Sequence, residues 1–287
     1  MEKREARDEL REYYSKTFPI DLIFRWFRYT KTREFSFTYH TDSCSRYITA
    51  NSADELREKI EREVPAKIDA GAVYVQKPAM VSNENPAVVK ELVFDVDLTD
   101  YKRACCEDKG MCNACLPLIK CAIEVLDHVL REHFGFSRLL FVFSGGRGVH
   151  CWVSDPLALT LTDRDRKNVI TYLKNLKKEK DKKIDEILAK YKKTAASKDT
   201  AEADDLYGEI FPKIDENVTK QTKHLLKLPF CVHPRTKRVC VPIILEDLDG
   251  FQLEDVPVFL DPDMKDKLKR YIAYFENYAA TVWRDIS

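Results

Sequence analysis

The sequence predicts a mixed α/β fold, in the α+β sense, in which helices and short strands alternate without a fixed-period repeat. Apolar residues recur at helical spacing near both ends of the chain, and several short apolar runs are bounded by polar, glycine or proline turns. The chain has 287 residues, of which 44% are hydrophobic. It is therefore long enough for one large or two modest domains with a buried core.

The elements follow from these patterns in chain order. The first helical pattern covers residues 5–28 and is interrupted at Pro19, which predicts two short helices. A third helix is predicted at 53–62, with Ser52 as its N-cap. The other predicted elements are strands at 35–39, 72–75, 91–98, 138–143, 149–153 and 239–245, and helices at 117–134 and 265–283.

The charge balance argues against a protein that coats nucleic acid through bulk charge, because 48 basic residues equal 48 acidic ones. The N-terminal stretch MEKREARDELREYY lacks the apolar core of a signal peptide, and no run approaches the roughly eighteen apolar residues of a membrane span. We therefore expect a soluble intracellular protein with no membrane partner. In a reducing compartment its nine cysteines are free thiols or metal ligands.

The stretch ELVFDVDLTDY (91–101) places three aspartates in an apolar run. In a strand, Asp95 and Asp97 share one face, with Cα atoms about 6.5–7 Å apart. Carboxylates at that spacing can share hard divalent cations, and two-metal phosphoryl-transfer sites hold ions about 3.5–4 Å apart. The alternative is the solvated face of an edge strand, and Asp100 is interpreted as a turn residue. The pair predicts a metal site and leaves the reaction open.

The stretch SGGRGVH (144–150) offers groups that suit an anion. Its glycines allow close backbone approach, Arg147 can bind phosphate oxygens bidentately, and His150 extends from the next strand toward the same space. It is not a Walker loop, because the GK[ST] ending is missing. An ordinary glycine-rich hairpin with an exposed arginine is the alternative.

Two later segments can complete such a site. Asp215, in FPKIDENV, is a candidate third acid, although its position alone supports this only weakly. The stretch KHLLKLPFCVHP (223–234) contributes Lys223, His224, Lys227 and His233, and its two lysines that are four apart share a face if the segment is helical. A basic surface turn is the alternative.

Four cysteines fall within the stretch CCEDKGMCNAC: Cys105, Cys106, Cys112 and Cys115. The last two form a CxxC pair, which suits tetrahedral zinc, whereas the adjacent first two can bind one ion only if the backbone bends sharply. We predict structural zinc here, with redox or Fe–S use of the thiols as the alternatives. The other five cysteines lie mostly in apolar runs and are interpreted as core residues.

Taken together, these motifs resemble the catalytic (small) subunit of the archaeal and eukaryotic DNA primases, and the eukaryotic form most closely. The motifs are YYSKTFP (13–19), REFSFT (33–38), AKIDAGAVY (66–74), ELVFDVDLTDY (91–101), the cysteine cluster, SGGRGVHCWV (144–153), FPKIDENVTK (211–220) and HLLKLPFCVHP (224–234). They occur in family order and span about residues 13–245.

The resemblance implies a mixed α/β core of two sheets flanked by helices, with an embedded zinc motif. We expect this core at 1–155 and 208–287, the zinc motif at 105–115, and a small helical subdomain inserted at 156–207. This insertion is much shorter than is usual in the family. Its lysine-rich part (174–193) is interpreted as an exposed helical face, with template contact as the alternative.

The resemblance also implies roles for individual residues. Asp95, Asp97 and Asp215 match the catalytic aspartates, which bind two Mg²⁺ or Mn²⁺ ions. The positions that match nucleotide-binding residues are Ser144, Arg147, His150, Lys227 and His233 at the triphosphate, and Arg33, Lys67 and Asp69 in the same pocket. The cysteines at 105, 106, 112 and 115 match the zinc ligands.

Two positions depart from the family pattern. Gly146 stands where the eukaryotic pattern has the first arginine of SGRRGVH, and this removes one cation from the expected triphosphate pocket. Lys213 replaces an arginine that is common two residues before the third aspartate. Either change can alter nucleotide affinity or metal preference.

The function implied is DNA-templated synthesis of short RNA primers from ribonucleoside triphosphates on single-stranded DNA. The family works as a heterodimer with a large subunit that carries an Fe–S cluster, usually within a polymerase alpha–primase complex, which implies the nucleus. The alternatives are a zinc-stapled nucleotide-binding scaffold with weakened catalysis, and a stand-alone primase-polymerase. The sequence does not determine primer length, start-site preference or the ion used in the cell.

Overall fold

The structure, a computed structural model, describes residues 2–28, 31–79, 85–103, 105–106, 110–176, 178–179, 181–192 and 206–283. Part of the expected zinc loop (107–109) and part of the expected helical insertion (193–205) lie outside the described residues. Within the described part of the chain, no helix is long and apolar enough to cross a membrane.

The chain divides into two compact units. Unit 1 comprises Met1–Lys90, Thr222–Val241 and Pro257–Ser287, and unit 2 comprises Glu91–Gln221 and Pro242–Val256. The described residues of the expected insertion belong to unit 2. Whether 156–207 is a separate subdomain stays a prediction.

The strands of unit 1 are β1 (Arg33–Thr38), β2 (Cys44–Ile48), β3 (Lys67–Tyr74), β4 (Ala87–Val89) and β8 (Leu226–Lys227). Unit 1 pairs them in an antiparallel sheet in the order β2-β1-β3-β4, and β8 also pairs with β3. Its helices are α1 (Glu2–Lys16), α2 (Ile20–Trp26), α3 (Ala53–Glu63) and α10 (Met264–Trp283). The break at Pro19 and the Ser52 cap are both confirmed, since the Ser52 side chain accepts a hydrogen bond from the Glu55 N–H.

The aromatic residues of α10 pack on the core of unit 1. Tyr271, Phe275 and Tyr278 are buried, and the Phe275 ring packs edge-on against the rings of Trp26 and Phe230. Edge-to-face aromatic pairs of this kind stabilise a core beyond the apolar area that they bury. These three side chains therefore serve the chain's own fold.

Unit 2 contains a three-stranded antiparallel sheet in the order β5-β7-β6. Its strands are β5 (Leu92–Asp97), β6 (Leu139–Phe143) and β7 (Gly148–Val153). Its helices are α4 (Leu116–His128), α5 (Pro156–Leu159), α6 (Asp163–Asn175), α7 (Lys182–Lys192), α8 (Leu206–Glu209) and α9 (Glu216–Lys220). Helix α4 contacts β7 and α7, and α9 contacts β5.

Helix α4 does not continue as an α-helix to its predicted end. Residues Val129–His133 form a π-helical turn, in which the Phe134 N–H donates to the Val129 carbonyl. A π-turn carries one more residue per turn than an α-helix and therefore changes which side chains share a face.

Two expectations about secondary structure are wrong. Residues 239–245 do not form a strand but make isolated bridges at Val239 and Pro242, because Pro242 has no N–H to donate to a ladder. Residues 223–227 are not helical: a turn precedes the two-residue strand β8, so Lys223 and Lys227 do not share a helical face. The short strands β2, β4 and β8 were not predicted.

Gly148 is required where β7 crosses β5. A Cβ atom at this position would lie 2.4 Å from the backbone carbonyl oxygen of Val96. We expect Gly148→Ala to lower the free energy of unfolding by about 3 kcal/mol through overpacking, measured by denaturant titration. Gly135→Ala is the control: a Cβ there meets nothing within 4 Å, but its φ of +71° costs about 1–2 kcal/mol. Equal losses in the two variants would contradict the close packing of β5 and β7.

Candidate active site

The acidic strand has the alternation that the sequence predicts. In β5, Phe94 and Val96 are fully buried, whereas the side chains of Asp95 and Asp97 are 29% and 42% exposed. Burial of the apolar face holds the strand in register, since a slip by one residue would exchange the two faces. The fold therefore presents both carboxylates on one partly exposed face of unit 2.

The pairing of β5 with β7 brings the basic residues of SGGRGVH to these acids. Asp95 pairs with His150, and the His150 Nε2 lies 3.7 Å from the Asp95 Oδ1. Asp97 pairs with Gly148, and the Arg147 Nε donates to the Asp97 Oδ1 at 2.8 Å. Arg147 thus already neutralises one of the two carboxylates. The predicted hairpin between β6 and β7 is what places these cations.

The turn between β6 and β7 is organised by Ser144. Its Oγ accepts hydrogen bonds from the N–H groups of Gly146 and Gly148, and its own N–H donates to the Gly148 carbonyl. Gly145 has a positive φ of +73°, which glycine adopts readily. Ser144 therefore shapes the backbone that carries Arg147. The sequence did not predict the hydrogen bonds that the Ser144 hydroxyl makes within the turn.

Asp215 lies beside the acidic strand. Ile214 forms a bridge with Val96, and the Asp215 N–H donates to the Asp95 carbonyl at 2.9 Å. The Asp215 carboxylate caps α9 by accepting from the Asn217 N–H. The structure therefore brings the third acid to the edge of β5 that β7 leaves open, although it lies 118 positions after Asp97 in sequence.

The three carboxylates are each engaged by neighbouring groups. Asp97 accepts from the Thr99 N–H and hydroxyl as well as from Arg147, while Asp215 is held by its cap. In the described part of the chain, two groups of side chains have all their possible metal-ligand atoms within 4.8 Å of one another. These groups are the four cysteines and the set of His128, His133 and Asp181. The three aspartates are not such a set, so two cations would have to draw them together.

The departures at Gly146 and Lys213 have different surroundings. The Gly146 N–H is part of the turn that Ser144 organises. The Lys213 Nζ donates to the Asp100 carbonyl and lies 5.0 Å from the centre of the Tyr101 ring. Lys213 therefore stabilises the turn after β5, where Asp100 ends a short 3-10 helix.

A second group of the expected nucleotide-binding residues lies on the sheet of unit 1. Lys67 and Asp69 are two residues apart on β3, and their side chains pair at 3.0 Å between Nζ and Oδ2. Asp69 is 5% exposed and lies opposite Lys227 of β8. This short strand is what brings Lys227 to the pair.

The other two expected nucleotide-binding residues of unit 1, Arg33 and His233, make contacts within the fold and are not part of the Lys67–Asp69 pair. Arg33 is buried: its Nη1 donates to the Gly71 carbonyl, and its guanidinium lies 4.1 Å from the centre of the Phe27 ring. The His233 Nδ1 accepts from the Thr236 N–H in a turn. Both contacts support the fold of unit 1, and the expected nucleotide roles of these residues stay predictions.

The four clustered cysteines converge as the zinc interpretation requires. The Cys115 Sγ lies 3.3 Å from that of Cys105, 3.6 Å from that of Cys106 and 3.8 Å from that of Cys112. Zinc–sulfur bonds of about 2.3 Å at tetrahedral angles separate neighbouring sulfur atoms by about 3.8 Å. The sulfur atoms of the adjacent Cys105 and Cys106 both lie close to that of Cys115, so adjacent cysteines can bind one ion here and the donor set fits zinc.

Arg103 is a neighbour of this cluster that the cysteine pattern did not predict. Its Nη1 donates to the Cys115 Sγ at 3.4 Å and to the Gly110 carbonyl at 2.8 Å. Burial opposes ionisation of Cys115, but a backbone hydrogen bond at Cys112 and the Arg103 contact outweigh it and lower its pKa to about 7. Burial raises the pKa of Cys105 to about 11. An arginine just before a cysteine cluster was the available signal.

The paired acids, the adjoining basic turn and the four-cysteine set define a candidate nucleotide-processing site of the metal-dependent class. A family model for the DNA primase small subunit matches residues 94–245, which include both aspartates of β5, the four clustered cysteines, the basic turn and Asp215. The chain belongs to this family and is an enzyme of the DNA primase class.

Curated relatives agree with this assignment. The chain is 30% identical to the DNA primase small subunit of Schizosaccharomyces pombe, over 87% of this chain and 76% of the relative. It is 28% identical to that of Saccharomyces cerevisiae, over 89% and 85%. It is also 28% identical to the DNA primase small subunit PriS of Archaeoglobus fulgidus, over 92% and 87%.

Proposed function

We propose that this protein synthesises short RNA primers from ribonucleoside triphosphates on single-stranded DNA. The observation that carries the proposal is the arrangement on β5, where Asp95 and Asp97 share a face, His150 and Arg147 lie beside them, and Asp215 adjoins the strand. This arrangement lies within the segment that the family model matches.

We assign Asp95, Asp97 and Asp215 to two Mg²⁺ or Mn²⁺ ions. When bound, such ions lower the pKa of the attacking 3′-hydroxyl and stabilise the departing pyrophosphate. The partly exposed carboxylates of Asp95 and Asp97 are oxygen donors of the kind that these ions prefer. The four cysteines, with their sulfur spacing, would hold a structural Zn²⁺ ion.

Arg147 has two partners in this scheme. Its guanidinium neutralises Asp97 before cations bind, and once Asp97 serves the cations it can turn to the triphosphate. Ser144 holds the turn so that Arg147 stays at the site. His150, on the neighbouring strand β7, is proposed to donate a hydrogen bond to the triphosphate. Five residues of unit 1 are separately proposed to bind nucleotide: Arg33, Lys67, Asp69, Lys227 and His233.

The names of the relatives, which are small subunits, support a partner subunit for this chain. A small subunit implies a large one, and we propose a heterodimer with a large subunit that carries the Fe–S cluster, within a polymerase alpha–primase complex in the nucleus. Single-stranded DNA template and RNA primer are the proposed nucleic-acid partners.

The direct test is primer synthesis by the isolated chain on a single-stranded template, with Mg²⁺ and Mn²⁺ compared. We expect template-dependent short RNA that requires a divalent ion. Metal-dependent nucleotide binding without dinucleotide formation would instead indicate a scaffold. Preference for deoxyribonucleotides in competition would indicate a stand-alone primase-polymerase.

Substitution of Arg147 tests the triphosphate contact. We expect Arg147→Ala to raise KM for the nucleotide about 10- to 100-fold, because a hydrogen bond to a charged group contributes about 1.5–3 kcal/mol. Steady-state primer synthesis at varied nucleotide concentration measures it. Arg164→Ala, which changes an exposed arginine at the start of α6, should leave KM unchanged. An unaltered KM in Arg147→Ala would remove this residue from the site.

A further inference from the structure

A second cluster of metal-ligating side chains lies in unit 2, apart from the aspartates and the cysteines. The His133 Nε2 lies 3.0 Å and the His128 Nε2 3.4 Å from the same oxygen, Oδ2 of Asp181. Their three side chains are only 17–19% exposed. The three donor atoms lie within 4.8 Å of one another, and imidazole nitrogens and carboxylate oxygens are both zinc ligands.

The π-helical turn is what brings the two histidines together. Residues five apart on an α-helix lie about 140° apart around its axis, which separates their side chains. The π-turn Val129–His133 adds a residue to this turn, and the rings of His128 and His133 come to 5.2 Å between centroids. Such turns are rare and are frequent at functional sites.

Asp181 is oriented by the helix that follows it. Its Oδ1 accepts from the backbone N–H groups of Lys183 and Ile184 at the start of α7. This capping fixes the carboxylate and leaves Oδ2 directed at the two imidazoles. The ligand oxygen is therefore positioned by backbone groups.

His133 has a second partner of the kind that metal-bound histidines have. Its Nδ1 lies 2.9 Å from the hydroxyl of Tyr172 on α6. A hydrogen bond at one ring nitrogen fixes the tautomer and orients the other nitrogen toward the metal. The contact therefore selects Nε2 of His133 as the ligand atom.

The spacing and access also suit an ion. Metal–ligand bonds of about 2.0–2.1 Å at tetrahedral angles place neighbouring nitrogen and oxygen donors about 3.3 Å apart, close to the two observed separations. His128 also lines a surface cavity of about 410 Å³, together with Asp127, Arg131 and Glu132. We propose that His128, His133 and Asp181 form a second zinc site, which joins the end of α4 to the start of α7 and leaves one position for water.

Metal counting by mass spectrometry tests the site in the full chain, equilibrated with Zn²⁺ and then dialysed. We expect Asp181→Asn to hold about one zinc ion fewer per chain than the wild type, since three protein ligands are the usual minimum. Asparagine caps helices as well as aspartate does, so this variant keeps the start of α7. His128→Gln removes a different proposed ligand and serves if Asp181→Asn folds poorly. His40→Gln, which changes a histidine of unit 1 outside the cluster, is the control.

Cobalt substitution separates this site from the cysteines. The absorption lost between wild type and Asp181→Asn should contain no sulfur-to-cobalt charge transfer, which belongs to thiolate ligands. Equal zinc content in wild type, Asp181→Asn and His128→Gln would overturn the proposal and leave a hydrogen-bonded His–Asp cluster. That outcome would not affect the primase assignment, because none of the three residues belongs to the proposed active site.

Discussion

Primer synthesis should be lost in Asp95→Ala and in Asp97→Ala, with a fall of at least about 10³-fold in rate. Divalent ions at a phosphoryl-transfer site contribute several kcal/mol to the transition state, and either substitution removes an oxygen ligand. Template-dependent incorporation of labelled ribonucleotide measures the effect. Both side chains lie on the partly exposed face of β5, so neither substitution opens a cavity in the core.

Asp100→Asn is the matched control for these two variants. Asp100 belongs to the same acidic stretch and is exposed after the strand ends, where its backbone carbonyl accepts from Lys213. We expect near wild-type synthesis from it. Thermal unfolding should be nearly unchanged in Asp95→Ala and Asp100→Asn. Asp97→Ala should unfold at a slightly lower temperature, because it loses the hydrogen bonds from Thr99 and Arg147. Primer synthesis at the wild-type rate by either alanine variant would refute the mechanism.

Cys115→Ser should lose the zinc ion proposed for the four-cysteine cluster and should unfold at a lower temperature. Cys115 is fully buried and its sulfur contacts the three other clustered sulfurs, so its removal opens the ligand set. Loss of a structural metal site costs folding free energy directly. If that cost is about 3 kcal/mol, Tm falls by about 5 °C for a chain of 287 residues that unfolds as one unit.

The control for this prediction is Cys44→Ser. Cys44 is an exposed cysteine on β2 in unit 1, outside the cluster. We expect it to keep the zinc content and Tm of the wild type. Unchanged zinc and Tm in Cys115→Ser would indicate that the four thiols serve another purpose.

The pH dependence of zinc binding has a definite sign. Burial raises the pKa of Cys106 to about 12 and that of Cys105 to about 11 in the metal-free chain, so both thiols carry protons at neutral pH. Zinc must displace those protons, and its affinity should therefore rise as pH rises. Competition with a chelator between pH 6 and about 8 measures this. An affinity that is independent of pH would contradict thiolate ligation.

Predictions from the sequence were most accurate where a local pattern decides the structure. The apolar runs at 91–98 and 138–143 became strands that bury most of their side chains. Pro19, which has no N–H to donate, separates α1 from α2. The helices at both ends of the chain were found for similar reasons. The strand β8 was missed because two residues carry no periodicity, and their strand geometry comes from pairing with β3.

The candidate site likewise has features that follow from local sequence patterns and features that depend on tertiary packing. The sequence by itself determined that Asp95 and Asp97 share a face, because side chains alternate in any strand, and that a CxxC pair suits zinc. Only the tertiary structure placed Asp215 against Asp95, Arg147 on Asp97, and the adjacent Cys105 and Cys106 around Cys115. It alone brought His128 and His133 together through a π-turn. Local periodicity depends on backbone geometry, whereas distances between residues far apart in sequence depend on packing.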